Sequence, residues 1–374
     1  MKIEIIGDCF STTGYCLHTR QLANALYKAN DKNVRFTTNL VQGWETAVND
    51  DELRMIQNTQ ESDVSIMIGM PHHWKAYYNR SLVKHFIGFL VWEGSNIPQF
   101  WLPELADKKV SQIWTPSTHT REAILNTVMK FGTIDQQNEI LPKIRVVPHG
   151  VDTEVFKPKL DGNNQPKPFM YVLNKGWRNL QDRGGVQFAI RAYWEEFTLK
   201  DNVSLFIKLN PAYGIPDVKK MLEELKPKDK AELPQINIST NNIPQNQMAQ
   251  LYQMADVFVS PTMAESFNLP CIESMTCGVP VITTSFGGQT DFVNETNGWI
   301  VDGEFIQSPE LPIYEEVKWL QPSIESLRKA MRNAYENKNE VIAKGQKALQ
   351  DAQKFKWSDS ADKALLCLQE LEHK

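Results

Sequence analysis

The sequence predicts an α/β protein of two Rossmann-like domains, each built on a parallel sheet. The chain has 374 residues, which is more than one hydrophobic core usually spans, so two domains are expected. Short β-branched runs alternate with amphipathic stretches along most of the chain, and this alternation is typical of parallel sheets covered by helices. A polar segment rich in lysine and proline, Lys157–Lys167, lies between two such series and is predicted to be a linker.

The first series opens with the apolar run Ile3–Ile6, followed by a loop that contains Gly14 and by an amphipathic helix predicted over His18–Ala29. Further strands of this series are predicted over Val34–Thr37, Val64–Met67, His85–Val91, Gln112–Thr115 and Ile144–Val147. A glycine ahead of a helix lets the backbone approach a phosphate closely, although an ordinary strand-to-helix turn would look the same. The dinucleotide fingerprint Gly-x-Gly-x-x-Gly is absent, which argues against an NAD-dependent oxidoreductase.

The second series predicts strands over Phe169–Leu173, Val203–Leu209, Gln235–Ile238, Val257–Ser260 and Val279–Thr284. Its helices are predicted over Val186–Phe197, Gln245–Met254, Pro270–Thr276 and Ile324–Tyr335, and a last helix over Ala361–Leu371. Parallel strands all end at one edge of a sheet, where ligands of α/β proteins bind. We therefore expect the polar residues that follow these strands to gather at that edge.

Two glutamates follow the predicted strand Val257–Ser260. Glu265 lies on the loop after it, and Glu273 is predicted in the first turn of the next helix. Carboxylates accept hydrogen bonds from vicinal hydroxyls, and N–H groups at a helix start bind anions, so this arrangement suits a sugar nucleotide. The backbone donors would be those of Ser266, Phe267, Asn268 and Leu269. The alternative is a solvated Glu265 and a Glu273 that only complements the helix dipole.

Two arginines, Arg178 and Arg183, precede the predicted helix Val186–Phe197, and Gly184-Gly185 stand between them and the helix. Cations at this place would stabilise the negative charge that grows on a diphosphate leaving group. Two solvated surface arginines are the alternative.

Polar and aromatic residues also follow two strands of the first series. His72 and His73 come after the run Val64–Met67, and Trp92 and Glu93 come at the end of His85–Val91. We interpret His72, His73 and Trp92 as candidates for contact with a second substrate, the acceptor of a transferred group. Adjacent histidines on a loop rarely converge on a metal without partners three or four residues away on a helix, so no metal site is predicted. Glu93 is interpreted either as a site residue at this strand end or as a carboxylate that only caps the core.

The stretch from residue 254 to residue 288 resembles the donor-binding signature of glycosyltransferase family 4, the retaining GT-B enzymes also described as glycosyl transferases group 1. The residues that carry the resemblance are Ser260-Pro261, Glu265, Glu273, Cys277-Gly278, Pro280 and Gly287-Gly288. The pair Arg178 and Arg183 and the segment Pro148–Asp152 before the linker also resemble patterns of this family.

The resemblance implies the GT-B fold, with two Rossmann-like domains facing across a cleft. The acceptor-side domain is expected at residues 1–156 plus 357–374, with the last helix crossing back to it, and the donor-binding domain at residues 168–356.

The resemblance also implies that Glu265 contacts the donor sugar, that Glu273 binds the ribose hydroxyls and that Gly14 lies at the donor phosphates. The residues that it implies for catalysis are Glu265, Arg178, Arg183 and Glu93. Three positions depart from the family pattern: Arg183 stands where lysine is usual, Glu93 where many members have a catalytic histidine, and Asp291 where glutamate is common.

The activity implied by the resemblance is transfer of a hexose-type sugar from a nucleoside-diphosphate sugar to a hydroxyl acceptor, with retention at the anomeric carbon. The sequence contains no Asp-x-Asp, which agrees with a reaction that needs no metal ion, and no cofactor is expected beyond the donor substrate. The acceptor is open: a glycan, a lipid, a small molecule or a modified nucleobase. A GT-B sugar-nucleotide epimerase or hydrolase and a non-catalytic sugar-binding protein are the alternatives.

Charge and cysteine content bear on partners and compartment. The formal net charge is −5, so a dedicated nucleic-acid binder is not indicated, although a nucleic acid as acceptor stays open. Five cysteines without a Cys-x-x-Cys pair are predicted to be reduced packing residues. Without a leader or an apolar run of membrane length, we expect a cytoplasmic protein with no membrane-spanning contact, and peripheral membrane contact stays open.

Overall fold

The computed structural model describes residues 1–38, 47–79, 82–158, 167–214, 216–310 and 313–372. Most of the predicted linker Lys157–Lys167 lies outside these residues. The chain divides into two compact units: the first comprises residues 1–150, 310–317 and 355–374, and the second comprises residues 151–309 and 318–354. The division expected at residues 156 and 357 lies at residues 150 and 355 in the structure, and no feature of the sequence predicts the assignment of residues 310–317 to the first unit.

The first unit is a parallel sheet covered by helices. Its strands are β1 (Ile3–Gly7), β2 (Val34–Thr38), β3 (Val64–Ile68), β4 (His85–Phe89), β5 (Val110–Thr115) and β6 (Ile144–Val146). Its helices are α1 (Gly14–Ala29), α2 (Asp50–Gln57), α3 (Pro71–Tyr78), α4 (Leu102–Ala106), α5 (Thr118–Phe131), α6 (Ile134–Ile140) and, from the end of the chain, α13 (Trp357–Glu372). The strands lie in the order β2-β1-β3-β4-β5-β6, and α13 packs against α1.

The second unit repeats this plan. Its strands are β7 (Phe169–Lys175), β8 (Val203–Leu209), β9 (Ile236–Ser239), β10 (Val257–Ser260), β11 (Val281–Thr284), β12 (Gly298–Val301), β13 (Gly303–Gln307) and β14 (Lys318–Pro322). Its helices are α7 (Val186–Glu196), α8 (Val218–Leu225), α9 (Gln245–Met254), α10 (Leu269–Thr276), α11 (Ile324–Glu336) and α12 (Lys338–Ala352). Six strands form a parallel sheet in the order β12-β11-β10-β7-β8-β9, and β13 and β14 form an antiparallel hairpin.

The loops after β7 and β10 meet at one point of the second sheet. The two strands are hydrogen-bonded neighbours with Val257 opposite Tyr171, whereas the strand that follows β7 in the chain, β8, lies on its other side. Ligands of open α/β sheets bind at such a switch point, outside the carboxyl ends of the strands. The polar residues that follow β7 and β10 are therefore side by side.

The structure differs from the predicted elements where a cap or a polar face overrides the apolar pattern. Helix α1 begins at Gly14 rather than at His18, because Thr13 Oγ1 accepts a hydrogen bond from Cys16 N at 3.3 Å and caps the helix inside the predicted loop. Strand β13 was not predicted, since most of its side chains are exposed and show no apolar alternation.

Two expectations from the sequence concern the state of the cysteines and the presence of a membrane-spanning helix. All five cysteines are buried with free thiols, and burial raises the pKa of Cys16 to about 12, so this thiol is not a nucleophile at neutral pH. Over the described ranges, no helix combines the length and the apolar character that crossing a membrane requires.

Candidate active site

A cluster of three charged side chains lies at the carboxyl ends of β7 and β10; we call Glu265, Lys175 and Arg183 the Glu265 cluster. Lys175 Nζ donates to Glu265 Oε1 at 2.6 Å, and Arg183 Nη1 lies 3.7 Å from Glu265 Oε2. The Lys175 side chain is 5% exposed and that of Glu265 is 19% exposed. A carboxylate thus stands between two cations in a place from which most water is excluded.

Asn268 connects this cluster to the start of α10. Its backbone has φ 74°, in the left-handed region that asparagine tolerates better than most residues, and its side chain is buried. The amide oxygen accepts from Lys175 Nζ at 2.8 Å, and Nδ2 donates to Ser260 Oγ at 3.0 Å. The sharp turn at Asn268 therefore fixes the Lys175 ammonium and begins α10 at Leu269.

The carboxyl group of Glu265 is held in its ionised form. Burial raises the pKa of this group, but the positive charges of Lys175 and then Arg183 outweigh burial, and the resulting pKa is lower than usual. At neutral pH the side chain is a hydrogen-bond acceptor on both oxygens.

Two glycines are required by close backbone approach around the Glu265 loop. A Cβ on Gly288 would lie 1.9 Å from Ser266 O, and Gly288 N donates to Glu265 O at 2.8 Å. Gly185 has φ +81°, and a Cβ there would lie 2.0 Å from Pro261 O. These contacts explain in physical terms why glycine stands at both positions.

The two arginines predicted to bind a diphosphate have different surroundings. Arg183 belongs to the Glu265 cluster, and its Nη1 also donates to Ala264 O at 2.9 Å. Arg178 Nε donates to Asp182 Oδ2 at 3.1 Å, and the Asp182 side chain is only 7% exposed. The charge of Arg178 is therefore partly compensated within its own loop, whereas Arg183 adds its charge to the cluster.

Glu273 lies in the second turn of α10, which corrects the expectation of the first turn. The helix begins at Leu269, after the turn at Asn268, so Glu273 is already one turn inside it. Its Oε2 accepts from Tyr252 Oη at 2.6 Å, and Tyr252 Oη accepts from Asn174 Nδ2 at 3.1 Å. Burial raises the pKa of Glu273 to about 7, and the hydrogen bond from Tyr252 acts in the opposite direction.

Replacing Glu273 by glutamine is expected to remove a pH dependence of stability. A carboxyl group with a pKa of about 7 in the folded protein and about 4.3 in the unfolded chain stabilises the fold below pH 4, and this contribution is lost as the pH rises through 7. The wild type should therefore lose about 3 kcal/mol relative to Glu273→Gln between pH 4 and pH 7.5. Urea unfolding across this range measures the difference. The exposed Glu304→Gln on β13 is the control, and a difference that does not change with pH would contradict the burial argument.

The remaining residues of the second unit that were predicted to bind the donor lie on the loop after β10 or at the start of α10. Phe267 is 1% exposed, and its ring centroid lies 5.1 Å from that of Phe292, so its side chain belongs to the core. Ser266 and Leu269 are half-buried on either side of it, and Asp291 is half-buried at the end of a short 3-10 turn that begins at Gly288.

In the first unit, Gly14 is the first residue of α1 and is exposed. Within the part of the chain that the structure describes, a Cβ at this position would meet no atom within 4 Å. The fold therefore does not require glycine here, and the open space beside the helix start is large enough for another group to approach.

Trp92 and Glu93 lie beyond the end of β4, in a buried loop. The Trp92 ring is 1% exposed and stacks on Tyr314 with 4.8 Å between ring centroids, and Tyr314 Oη donates to Glu93 Oε1. A contact between Trp92 and an acceptor would require Tyr314 to move. The role predicted for Trp92 thus depends on the segment that carries Tyr314.

The sequence predicts a loop at His72 and His73, but in the structure both residues are exposed in the first turn of α3. Trp101 Nε1 donates to His72 Nδ1 at 3.1 Å. Burial and the neighbouring His73 lower the pKa of His72, so its ring is neutral at pH 7. Among the residues that the structure describes, no three His, Cys, Asp or Glu side chains are arranged to hold a metal ion.

Lys175 is the residue of this site that sequence reasoning missed. It ends β7, whose sequence FMYVLNK is apolar up to its last two residues. A lysine at the carboxyl end of a buried strand is a signal for a site at the sheet edge. The pairing with Glu265 additionally requires knowing that β7 and β10 are neighbours.

Residues 198–310, which include β8 to β13 and the Glu265 loop, match the family model described as Glycosyl transferases group 1. A D-inositol 3-phosphate glycosyltransferase of Acidothermus cellulolyticus is 28% identical over 210 residues, which are 53% of this chain and 43% of the relative. A probable sucrose-phosphate synthase of Thermosipho melanesiensis is 28% identical over 167 residues, 43% of this chain and 41% of the relative. The chain spans less than half of the length of either relative.

Solved structures match the whole chain. Sucrose-phosphate synthase from Thermosynechococcus elongatus has a TM-score of 0.70 at 17% identity, with 99% of both chains covered. HepE from Anabaena, in complex with UDP and glucose, has a TM-score of 0.65 at 15% identity, with 99% of this chain and 100% of HepE covered. The fold is GT-B. The GT-B fold predicted from the sequence is thus confirmed, and the Glu265 cluster lies at the switch point of its second Rossmann-like sheet.

Proposed function

We propose that this protein is a retaining glycosyltransferase of family 4, which transfers a hexose-type sugar from a nucleoside-diphosphate sugar to a hydroxyl acceptor without a metal ion. The observation that supports this most is the Glu265 cluster, where an ionised carboxylate and two cations lie beside the start of α10. Carboxylates bind sugar hydroxyls, and cations and helix starts bind phosphates. The cluster therefore offers partners for both sides of the bond that joins sugar to diphosphate.

In the proposed donor complex, Glu265 accepts hydrogen bonds from hydroxyls of the sugar, and Lys175 and Arg183 bind the diphosphate. Glu273 accepts from the ribose hydroxyls. The match to HepE, solved with UDP and glucose and also with UDP-glucose, makes UDP-sugars the first donors to test.

The proposed reaction breaks the bond between the anomeric carbon and a β-phosphate oxygen and forms a bond from the same carbon to the acceptor oxygen on the same face. The proton of the acceptor hydroxyl passes to a phosphate oxygen of the donor. Negative charge grows on the diphosphate as the first bond breaks, and Lys175 and Arg183 stabilise it. Since Lys175 is buried, water screens its charge weakly, and the stabilisation is stronger than at a protein surface.

The acceptor is proposed to be a compound with a free hydroxyl that binds to the first unit. The relatives named above point to a polyol phosphate and to a sugar phosphate as the first acceptors to test. His72 and His73 are the exposed first-unit candidates for this contact.

A donor panel without acceptor tests the proposal. The purified protein is incubated with UDP-, GDP-, ADP- and dTDP-sugars, and thermal shift and nucleotide release are recorded. One donor that stabilises the protein, with slow release of nucleotide, is the expected result. Rapid conversion without acceptor would favour the epimerase or hydrolase, and a stabilising donor that no acceptor turns over would favour a sugar-binding protein. The absence of a shift with every donor would contradict the sugar nucleotide site.

Replacing Gly14 by alanine is expected to weaken donor binding without harming the fold. A Cβ at Gly14 meets no atom of the described residues within 4 Å, and alanine lowers the entropy of the unfolded chain, so stability should stay level or rise by about 0.5 kcal/mol. If donor phosphates approach this helix start, the added methyl should raise the dissociation constant of the donor about 10-fold. Calorimetric titration measures it, and an unchanged affinity in a variant that is as stable as the wild type would contradict the role of Gly14.

A further inference from the structure

Lys208 is a buried lysine that the proposed reaction does not use. It is the last residue but one of β8, and it is 4% exposed. Its ammonium forms no ion pair or hydrogen bond with any residue that the structure describes. Lysines are almost never this buried unless their charge is paired.

Two other buried lysines of the second unit show how such a charge is normally satisfied. Lys175 donates to a carboxylate and to an amide oxygen, as described above. Lys344, 8% exposed, donates to the backbone oxygens of Glu295 and Gly298. Lys208 lacks such acceptors among the described residues, and burial alone lowers its pKa, without an opposing contribution from a carboxylate.

The position of Lys208 in the sheet places it next to a residue that is linked by hydrogen bonds to Glu273, the side chain assigned to the ribose. In the parallel register it is opposite Asn174 on β7 and Ser239 on β9. Residues opposite each other in adjacent strands lie about 5 Å apart and point to the same face. Asn174 is hydrogen-bonded to Tyr252, which is hydrogen-bonded to Glu273. Lys208 thus continues a line of polar side chains that starts at the proposed ribose-binding carboxylate.

We propose that Lys208 is a third cation of the donor site and that it binds a phosphate group of the nucleotide. The inference rests on the proposed function. A lysine ammonium has three donors and no acceptor, and neither register neighbour carries a negative charge. An anionic ligand at the carboxyl edge of β8 supplies the missing partner. Of the parts of a nucleoside-diphosphate sugar with a neutral hexose, only the diphosphate is anionic.

Replacing Lys208 by methionine tests this inference, because methionine keeps the length of the side chain and removes the charge. The fold should be retained or have a higher thermal midpoint, since an unpaired buried charge disappears. The dissociation constant of the nucleoside diphosphate should rise at least about 10-fold, and that of the uncharged nucleoside should not change. Lys208→Gln is the second variant, and Lys219→Met, which removes the same charge from the exposed side of α8, is the matched control.

The ligands are UDP, GDP, ADP and dTDP, the four matching nucleosides and inorganic pyrophosphate, each titrated calorimetrically. A diphosphate that binds wild type and Lys219→Met alike but binds both Lys208 variants weakly would support the inference. Equal binding by wild type and Lys208→Met would overturn it and leave the proposed function in place. Pyrophosphate that binds in a Lys208-dependent way, with no nucleotide bound, would support an anion site and overturn the proposed function. Binding of none of these ligands would overturn both.

Discussion

Replacing Lys175 by methionine is expected to destabilise the second unit by about 3–5 kcal/mol, because it leaves a partly buried carboxylate without its nearest cation. Lys175 Nζ lies 2.6 Å from Glu265 Oε1 and 2.8 Å from Asn268 Oδ1. Without it, Glu265 keeps the longer 3.7 Å contact with Arg183, and the amide oxygen of Asn268 loses a donor where little water reaches it. Sugar transfer should fall about 100- to 1,000-fold, as when one group that stabilises charge in the transition state is removed.

The loss of stability in Lys175→Met should depend on pH with a defined sign. Burial raises the pKa of Glu265, but Lys175 and Arg183 lower it below its usual value. Glu265 therefore stabilises the folded protein above the unfolded pKa of about 4.3, and this contribution is lost as the pH falls through the folded value. The difference in unfolding free energy between wild type and variant should be largest at pH 7 and smaller at pH 4. Urea unfolding at the two pH values measures it.

An exposed ion pair of the same length is the matched control. Lys226 Nζ lies 2.6 Å from Glu223 Oε1, as close as in the buried pair, but these side chains are 46% and 57% exposed. Lys226→Met should change stability by less than about 0.5 kcal/mol. Replacing both Lys175 and Glu265 by methionine should cost less than the sum of the single changes, because the double variant does not leave the Glu265 carboxylate without its nearest cation. Equal losses in Lys175→Met and Lys226→Met, or strict additivity, would contradict the description of the cluster as a coupled buried pair.

The fold could be predicted from the sequence because its strands are short apolar runs with clear ends. The predicted bounds agree with those of two strands and one helix, which are β8 (Val203–Leu209), β10 (Val257–Ser260) and α9 (Gln245–Met254). Elements that depend on other signals were missed. Helix α2 has three acidic residues in its first turn and a capping box at Asn49, which is a polar start signal without a long apolar stripe. The apolar pattern of the sequence therefore predicts the strands of the sheet well and the first residues of the helices less well.

The candidate site could be predicted only in part, because its contacts depend on strand order. Glu265 and Arg183 were predicted as site residues, and the structure brings them within 3.7 Å of each other. The place of Lys175 follows from the adjacency of β7 and β10, which the order of the chain does not reveal. Glu273 lies in the second turn of α10 because the helix begins one residue earlier than predicted, at Leu269, after the left-handed turn at Asn268. Single-residue propensities do not predict that turn.

Replacing both Arg178 and Arg183 by alanine is expected to abolish sugar transfer while the fold is retained, and the two single variants should differ in effect. Arg183→Ala removes a cation from the Glu265 cluster and should lower kcat about 100-fold with a small change in the donor KM, because the charge on the leaving group grows mainly in the transition state. Arg178→Ala should lower kcat about 10-fold or less, since Arg178 already shares its charge with Asp182. Initial rates at several donor concentrations separate kcat from KM.

The fold should survive because the remaining partners satisfy the buried carboxylates. In Arg183→Ala, Glu265 still accepts from Lys175. In Arg178→Ala, Asp182 still accepts from the backbone N–H of residue 178 and from that of Gly184 at 2.9 Å. Arg191→Ala on α7, where an exposed arginine pairs with Glu195, removes the same charge away from the cluster and should leave kcat unchanged. An Arg178→Ala variant that reduces kcat as much as Arg183→Ala would contradict the argument that proximity to Glu265 makes a cation effective. Both arginines would then act directly on the diphosphate.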